Sequence, residues 1–186
     1  RRAKTAGVRT ACAGTLDGIA LARDEGFAVH AGLGTNIFNT RAMAATAAMG
    51  VTEASLSFEL TLEQAAAIGG TLPRGLIAYG RLPLMLTRNC PVANGISRAA
   101  CTKQGSITDR MGIDFPVVCA NGFAELLNSR PLYMADRLTE MKNMDFILLY
   151  FTMETKAECG QIIAAYRGGK PPQGEFTRGL YYRGVE

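Results

Sequence analysis

The sequence has one histidine, no tryptophan and no CxxC pair among its five cysteines. A single histidine excludes an HExxH metalloprotease, and the absence of CxxC removes support for a structural zinc site of the common paired kind. No uncharged apolar run is long enough to cross a bilayer, and no secretory signal is visible. We therefore expect a cytoplasmic protein whose cysteines form no disulfide framework.

The 186 residues are enough for one domain with a sizeable core, and the hydrophobic fraction of 48% is typical of a soluble globular protein. The net charge of +4 is compatible with an RNA partner without requiring one. The chain does not begin with Met, so we expect a fragment of a longer protein.

The first 80 residues alternate short apolar runs with Ala/Leu-rich runs of helical character. This pattern predicts strands at 8–13, 28–33, 54–58 and 75–79, and helices at 16–25, 41–49 and 62–68. Thr61 and Gln64 match a capping box for the third helix. Parallel strands with crossover helices follow from this alternation. No glycine-rich phosphate fingerprint follows the first strand, so a nucleotide-binding doubly wound sheet is the weaker option. We expect an α/β fold, a partial (β/α) barrel-like fragment with peripheral helices.

The alternation stops over residues 81–128, where prolines and glycines are frequent. We interpret this segment as an inserted cysteine-bearing loop, within which 106–108 and 115–118 can pair as a small antiparallel unit. The pattern resumes over 129–186 with a helix capped by Ser129, a strand at 146–151 buried on both faces, and a helix capped by Thr152. We expect residues 1–186 to form a single domain.

Cys90, Cys101 and Cys119 lie in this segment and are the candidate metal or cofactor ligands. Thiolates on an irregular segment can converge on a soft metal or an iron–sulfur cluster. Inert buried thiols are the alternative interpretation. Cys12, in a predicted strand, and Cys159, on the apolar face of a predicted helix, are interpreted as buried hydrophobes.

His30, Glu59 and Arg81 follow or end predicted strands, where the catalytic groups of α/β barrels lie. His30 is a candidate general acid or base because its pKa lies near neutrality. Glu59 and Arg81, together with Tyr79, can bind an anionic substrate or an RNA base with its phosphate. Structural hydrogen bonds or salt bridges are the alternative for each, and no Ser/His/Asp arrangement is evident.

The C-terminal tail is rich in arginine and tyrosine. Its candidates for stacking and clamping single-stranded RNA are Arg178, Tyr181, Tyr182 and Arg183. Packing of the tail across the sheet is the alternative.

Several long segments resemble the peptidase U32 family, also called the collagenase-like peptidase family. They are HAGLGTNIFNTRA, SLSFELT, YGRLPLMLTRNCPV, GSITDRMGIDFPVVC and ELLNSRPLYMADRL, with LLYFT and FTRGLYYRGV further on. The similarity covers nearly the whole chain and is to the C-terminal portion of the long U32 proteins. It implies that an N-terminal catalytic-barrel portion precedes this chain in the parent protein.

The resemblance implies two kinds of activity. The historical label is a collagenase-like peptidase, whereas bacterial relatives are linked to hydroxylation of bases in rRNA or at the tRNA wobble uridine, and to oxygen-independent hydroxylation in ubiquinone synthesis. Those relatives hold a [4Fe–4S] cluster on four cysteines, and the RNA hydroxylases depend on prephenate. On this resemblance, Cys90, Cys101 and Cys119 match cluster cysteines.

The chain also departs from the family pattern. Arg98 and Phe123 stand where members often have further cysteines. The fourth ligand therefore stays open between a non-cysteine group, Cys159 and loss of the cluster. RNA hydroxylation is the preferred prediction because no nucleophile–base pair is evident; proteolysis and a non-catalytic portion that binds RNA or closes the parent's barrel are the alternatives.

Overall fold

Strands and helices alternate through the first 80 residues, as the apolar pattern predicts. The computed structural model describes residues 2–93, 104–120 and 122–185. After a four-residue helix, α1 (Arg2–Thr5), the elements are β1 (Thr10–Ala13), α2 (Leu16–Asp24), β2 (Ala28–Ala31), α3 (Thr40–Ala48), β3 (Glu53–Ser55), α4 (Leu62–Ala67) and β4 (Arg74–Gly80). Each predicted strand and helix is present, with ends that differ by a few residues.

The helices of this part begin at side chains that accept backbone N–H groups. Thr15 caps α2 and Asn39 caps α3. At α4, Thr61 Oγ1 accepts from the Gln64 amide at 3.1 Å, and Gln64 Oε1 accepts from the Thr61 amide at 2.9 Å. The predicted capping box is therefore confirmed, and it fixes where the chain turns after β3.

Five strands of the main sheet are parallel and follow the order β1-β2-β3-β4-β10, where β10 is Phe146–Tyr150. Ile19, Met43 and Ala65, one from each of α2, α3 and α4, are buried in the core. The fold is thus mixed α/β, with a parallel sheet and peripheral helices. No helix in the described ranges has the length and apolar character needed to cross a membrane.

The segment predicted as a cysteine loop instead folds largely into a second sheet. This antiparallel sheet has the order β5-β8-β7-β6, with β5 (Pro83–Thr87), β6 (Gln104–Thr108), β7 (Asp114–Ala120) and β8 (Phe123–Leu127). The expected pairing of 106–108 with 115–118 is confirmed, with Ile107 opposite Phe115. The loop prediction for β5 and β8 was wrong, because these strands are stabilised by partners more than 30 residues apart in sequence.

The segment that follows Ser129 differs most from the prediction. The helix expected after Ser129 is replaced by a short strand, β9 (Leu132–Tyr133), and a 3₁₀ segment, Ala135–Met141, kinked at Arg137. Tertiary pairing overrides the helical spacing here, since β9 pairs antiparallel with the end of β4.

The last strand and helix are present with two corrections. Every residue of β10 is half-buried, because β10 is the final strand of the parallel sheet, so burial on both faces was wrong. Helix α5 (Lys156–Arg167) is capped by Thr155 rather than Thr152. Glu158 Oε2 accepts from the Thr155 amide at 2.7 Å and completes a second capping box.

Candidate functional site

Two of the three candidate cysteine ligands lie together on the second sheet. Cys90 follows β5 and Cys119 lies near the end of β7, and their Sγ atoms are 3.4 Å apart, with Cys119 donating to Cys90. Both side chains are half-buried. Cys101, the third candidate, lies outside the described residues. Strand pairing of β5 and β7 with β8 brings Cys90 and Cys119 together although 29 residues separate them.

The two sulfurs lie in direct contact. Two thiolates bound to one tetrahedral ion at ~2.3 Å have sulfurs about 3.8 Å apart, so the 3.4 Å between Cys90 and Cys119 is the distance of a thiol–thiol hydrogen bond. In the described ranges, no set of three or more His, Cys, Asp or Glu side chains is placed to hold a metal. The described part of the chain thus holds two neighbouring thiols and no complete metal site.

An aromatic and a guanidinium group lie at the same end of the second sheet. Phe123 begins β8 and is 41% exposed. The Arg88 guanidinium lies 5.6 Å from the centre of its ring. The next residue, Ala124, pairs in register with Cys119. The sequence indicated Phe123 only as a position where related proteins have a cysteine, and its contact with Arg88 was not predicted. The only signal for this contact in the sequence is the basic residue two positions before Cys90.

A second cluster surrounds the only histidine. His30 Nδ1 is 2.9 Å from Glu53 Oε1, and His30 Nε2 is 2.8 Å from Ser55 Oγ. The parallel register of β2 and β3 places His30 beside Glu53, and the two-residue period of a strand puts Ser55 on the same face as Glu53. A serine, a histidine and a carboxylate in this order form the hydrogen-bonded arrangement of an acyl-transfer triad.

The cluster is enclosed on the serine side. Ser55 is fully buried and His30 is nearly so, whereas the Glu53 side chain is 41% exposed. The Phe146 ring lies 5.4 Å from the His30 ring and occupies the space above Gly75, where a Cβ atom would collide with it. Gly75 in turn pairs in register with Ser55. The Phe146 ring thus packs beside His30 and covers Gly75, the residue paired with Ser55.

Cys12 borders the cluster instead of lying in the core. It pairs in register with His30, and its side chain is exposed, so the expectation of a buried thiol was wrong. Desolvation and the charge of Glu53 raise the pKa of Cys12, which keeps it a thiol at neutral pH. Cys159 is half-buried in α5, with its Sγ 3.9 Å from the Glu154 carbonyl oxygen.

The other strand-end candidates do not gather around His30. Arg81 donates to the Asn128 carbonyl at 3.0 Å and to the Ser129 carbonyl, which braces the end of β4 against the chain after β8. Glu59 is half-buried, and its amide donates to Ser57 Oγ at 3.3 Å. No hydrogen bond or ion pair within the described ranges joins Glu59 or Arg81 to His30.

Two of the four RNA-binding candidates have structural roles. Arg178 donates to both carboxylate oxygens of Asp136, at 2.7 and 2.8 Å. Tyr181 is 2% exposed and donates to the Ile77 carbonyl at 2.5 Å, so its ring cannot stack on a base. Tyr182 and Arg183 are exposed.

Comparison with known proteins adds no relative. No family model matches the chain, and neither a curated protein nor a solved structure matches it. The resemblance to the U32 family therefore stays a prediction that depends on the quoted motifs.

Proposed function

We propose that this chain is part of a U32-type enzyme that hydroxylates RNA bases, with an iron–sulfur cluster held in part by Cys90 and Cys119. The observation that supports this proposal is that two of the three cysteines matched by the family resemblance lie together in the fold, with their Sγ atoms 3.4 Å apart. Iron–sulfur clusters are held by cysteine thiolates, and Cys101 is the natural third donor. When bound, the cluster would supply electron transfer.

The proposal extends to the partners of the site. RNA would stack on Phe123 next to the Arg88 guanidinium, since base–aromatic stacking and arginine contacts are common in RNA recognition. Tyr182 and Arg183 remain exposed for further contacts. Prephenate is the proposed co-substrate by family resemblance, and the parallel sheet would complete a barrel with the N-terminal portion of a cytoplasmic parent protein.

Anaerobic reconstitution with iron and sulfide tests the cofactor. We expect the wild-type protein to bind both and to gain broad visible absorption, and Cys90→Ser or Cys119→Ser to abolish the signal. Cys12→Ser is the matched control, because Cys12 is exposed and lies on β1 of the parallel sheet, outside the second sheet that carries Cys90 and Cys119. Failure to bind iron, or retention of iron by both serine variants, would contradict the proposal.

RNA analysis separates the reaction from simple binding. In cells that lack the gene, mass spectrometry should show the loss of one hydroxylated nucleoside, which the wild-type gene restores and the Phe123→Ala variant restores poorly. A protein that binds RNA with steep salt dependence, holds no iron and restores nothing would instead be the non-catalytic RNA-binding or barrel-closing portion.

Proteolysis is the second candidate, because the Ser55–His30–Glu53 arrangement supplies the nucleophile–base pair that the sequence does not reveal. A fluorophosphonate probe tests it by covalent labelling. Peptide mapping should place the label on Ser55 and not on Ser57, which is also buried. If Ser55 stays unlabelled in the folded protein, proteolysis is contradicted and the Ser55–His30–Glu53 cluster has a structural role.

A further inference from the structure

A cavity of about 550 Å³ lies at the carboxyl end of the parallel sheet. Its walls come from the end of β4, from β9, from the start of α5 and from the segment after α5; among the lining residues are Tyr79, Tyr133, Glu154, Glu158, Lys170 and Phe176. This volume is typical of small-molecule sites. The carboxyl ends of parallel strands are also where open α/β sheets bind ligands.

The aromatic wall of the cavity is fixed by hydrogen bonds. The Tyr79 and Tyr133 rings lie edge to face with their centres 6.4 Å apart, and Tyr133 has the same relation to Phe176 at 6.4 Å. Tyr79 Oη donates to Glu154 Oε1 at 3.0 Å, and Tyr133 Oη donates to the Lys170 carbonyl at 2.9 Å. Because both hydroxyl groups are engaged, the wall is preformed and offers mainly ring surface to a ligand.

The charges around the cavity favour a cation. Three carboxylates line it, those of Glu154, Glu158 and Glu175, against the single ammonium of Lys170. Both Glu175 oxygens already accept from Arg130. An anionic ligand such as a phosphate would therefore face an excess of negative charge.

Glu158 is the carboxylate with an oxygen to spare. Its Oε2 accepts from the amide and the hydroxyl of Thr155, both at 2.7 Å. Within the described part of the chain, no hydrogen bond or ion pair falls on its Oε1. These bonds from Thr155 lower the pKa of Glu158, so the carboxylate stays ionised at neutral pH. Glu154 is held in place by Tyr79 and by the amides of Thr152 and Met153.

We propose that this cavity binds an organic cation, a guanidinium or ammonium group on a flat or apolar body. The cation pairs with Glu158 and Glu154, and the body packs against the Tyr133 and Phe176 rings. Cations are attracted to aromatic faces as well as to carboxylates.

Benzamidine and benzamide test the proposal by calorimetric titration, since they have nearly the same shape and differ in charge. We expect benzamidine to bind saturably and at least about tenfold more tightly than benzamide, as one charge-assisted contact predicts. Equal affinity for the two probes would overturn the proposal, as would stronger binding of inorganic phosphate than of benzamidine.

Glu158→Gln assigns the binding to the cavity. Glutamine keeps the capping box, because it also serves at this helix position, and removes only the charge. We expect about a tenfold loss of benzamidine affinity. Glu63→Gln is the matched control, an exposed glutamate in the first turn of α4 and outside the cavity. Equal losses in the two variants would show a general surface-charge effect and would overturn the proposal.

The source of the cation is decided by comparing agmatine with the peptide Gly-Arg-Gly. Competition of free agmatine with benzamidine would identify a small-molecule site, and competition of the peptide alone would identify a site for an arginine side chain. If neither agmatine nor the peptide displaces bound benzamidine, the assignment to guanidinium and ammonium ligands is overturned.

Discussion

At the scale of single residues, the contact between Arg178 and Asp136 ties the C-terminal tail to the chain after β9. The guanidinium donates to both carboxylate oxygens, and Arg178 Nη1 also donates to the Tyr133 carbonyl at 2.6 Å. Both side chains are largely shielded, with 21% and 25% exposure. A bidentate charged pair of this kind is stronger than an exposed surface ion pair.

The Asp136→Asn variant tests this pair. Hydrogen bonding from Arg178 lowers the pKa of Asp136 in the folded protein, whereas the unfolded value is about 3.9. The pair therefore contributes stability above pH ~4 and loses it as the pH falls through the lowered folded value. We expect Asp136→Asn to lower the free energy of unfolding by about 1–2 kcal/mol at neutral pH.

Urea denaturation at neutral pH and near pH 3 gives the measurement. The difference between wild type and Asp136→Asn should shrink at the acidic pH. Asp24→Asn is the control, because the Asp24 side chain is 67% exposed and pairs with the adjacent Arg23. A difference that stays constant with pH would show that the charge of Asp136 is unimportant.

Single residues also show where sequence reasoning stops. Cys90 and Cys119 could be chosen from the sequence because they lie where the apolar alternation stops and match cysteines of the family that the chain resembles, and the structure brings these two together. The partners of His30 could not be chosen from the sequence. Glu53 and Ser55 follow His30 by 23 and 25 residues and contact it only because of the strand register. Tyr181 was misjudged because composition does not show which face of a tail is buried.

At the scale of elements, two threonines near the start of α5 contribute in opposite directions to stability. Thr155 caps the helix through its reciprocal bonds with Glu158. Thr152, the cap expected from the sequence, has a buried hydroxyl without a hydrogen-bond partner among the described residues. A satisfied cap stabilises a helix, whereas a buried polar group without a partner destabilises the fold.

Opposite effects are expected from substituting these threonines. Thr155→Ala should lower the free energy of unfolding by about 1 kcal/mol, because it removes the cap. Thr152→Val keeps the shape and removes the buried hydroxyl, so it should raise that free energy by as much as about 1 kcal/mol. Thermal unfolding by circular dichroism measures both, and destabilisation by Thr152→Val would show that its hydroxyl is satisfied after all.

Elements were predictable where local pattern decides and not where distant pairing does. The first four strands and three helices follow from apolar spacing, and the Thr61–Gln64 capping box follows from a four-residue motif. The strands β5, β8 and β9 have no comparable local signal. They form because β5 pairs with β8 and β9 pairs with the end of β4.

At the scale of the whole molecule, β4 connects all parts of the main sheet. It pairs with β3 and β10 in parallel and with β9 in antiparallel orientation. Two buried tyrosines also donate to its backbone: Tyr166 Oη to the Ala78 carbonyl and Tyr181 Oη to the Ile77 carbonyl, both at 2.5 Å. Burial raises the pKa of both phenols, so they stay protonated donors.

Tyr181 substitutions test how far the whole fold depends on the tail. Tyr181→Phe should cost about 1 kcal/mol for the lost hydrogen bond, and Tyr181→Ala about 3–5 kcal/mol for the emptied core position. Tyr182 is 50% exposed and its hydroxyl donates to the exposed Glu140 at 2.7 Å, so Tyr182→Phe should change stability little. Urea unfolding of the three variants ranks their free energies of unfolding. Equal midpoints for Tyr181→Ala and wild type would show that the tail is not part of the core.

The contact of Tyr181 with β4 also sets an order of events during synthesis. The phenol meets a carbonyl that precedes it by 104 residues, and contacts so distant in sequence form late in folding. When β1 through β10 have left the ribosome, Tyr181 has not yet emerged, so its hydrogen bond to β4 cannot form. A nascent chain stopped before residue 181 would therefore expose this core to chaperones and proteases.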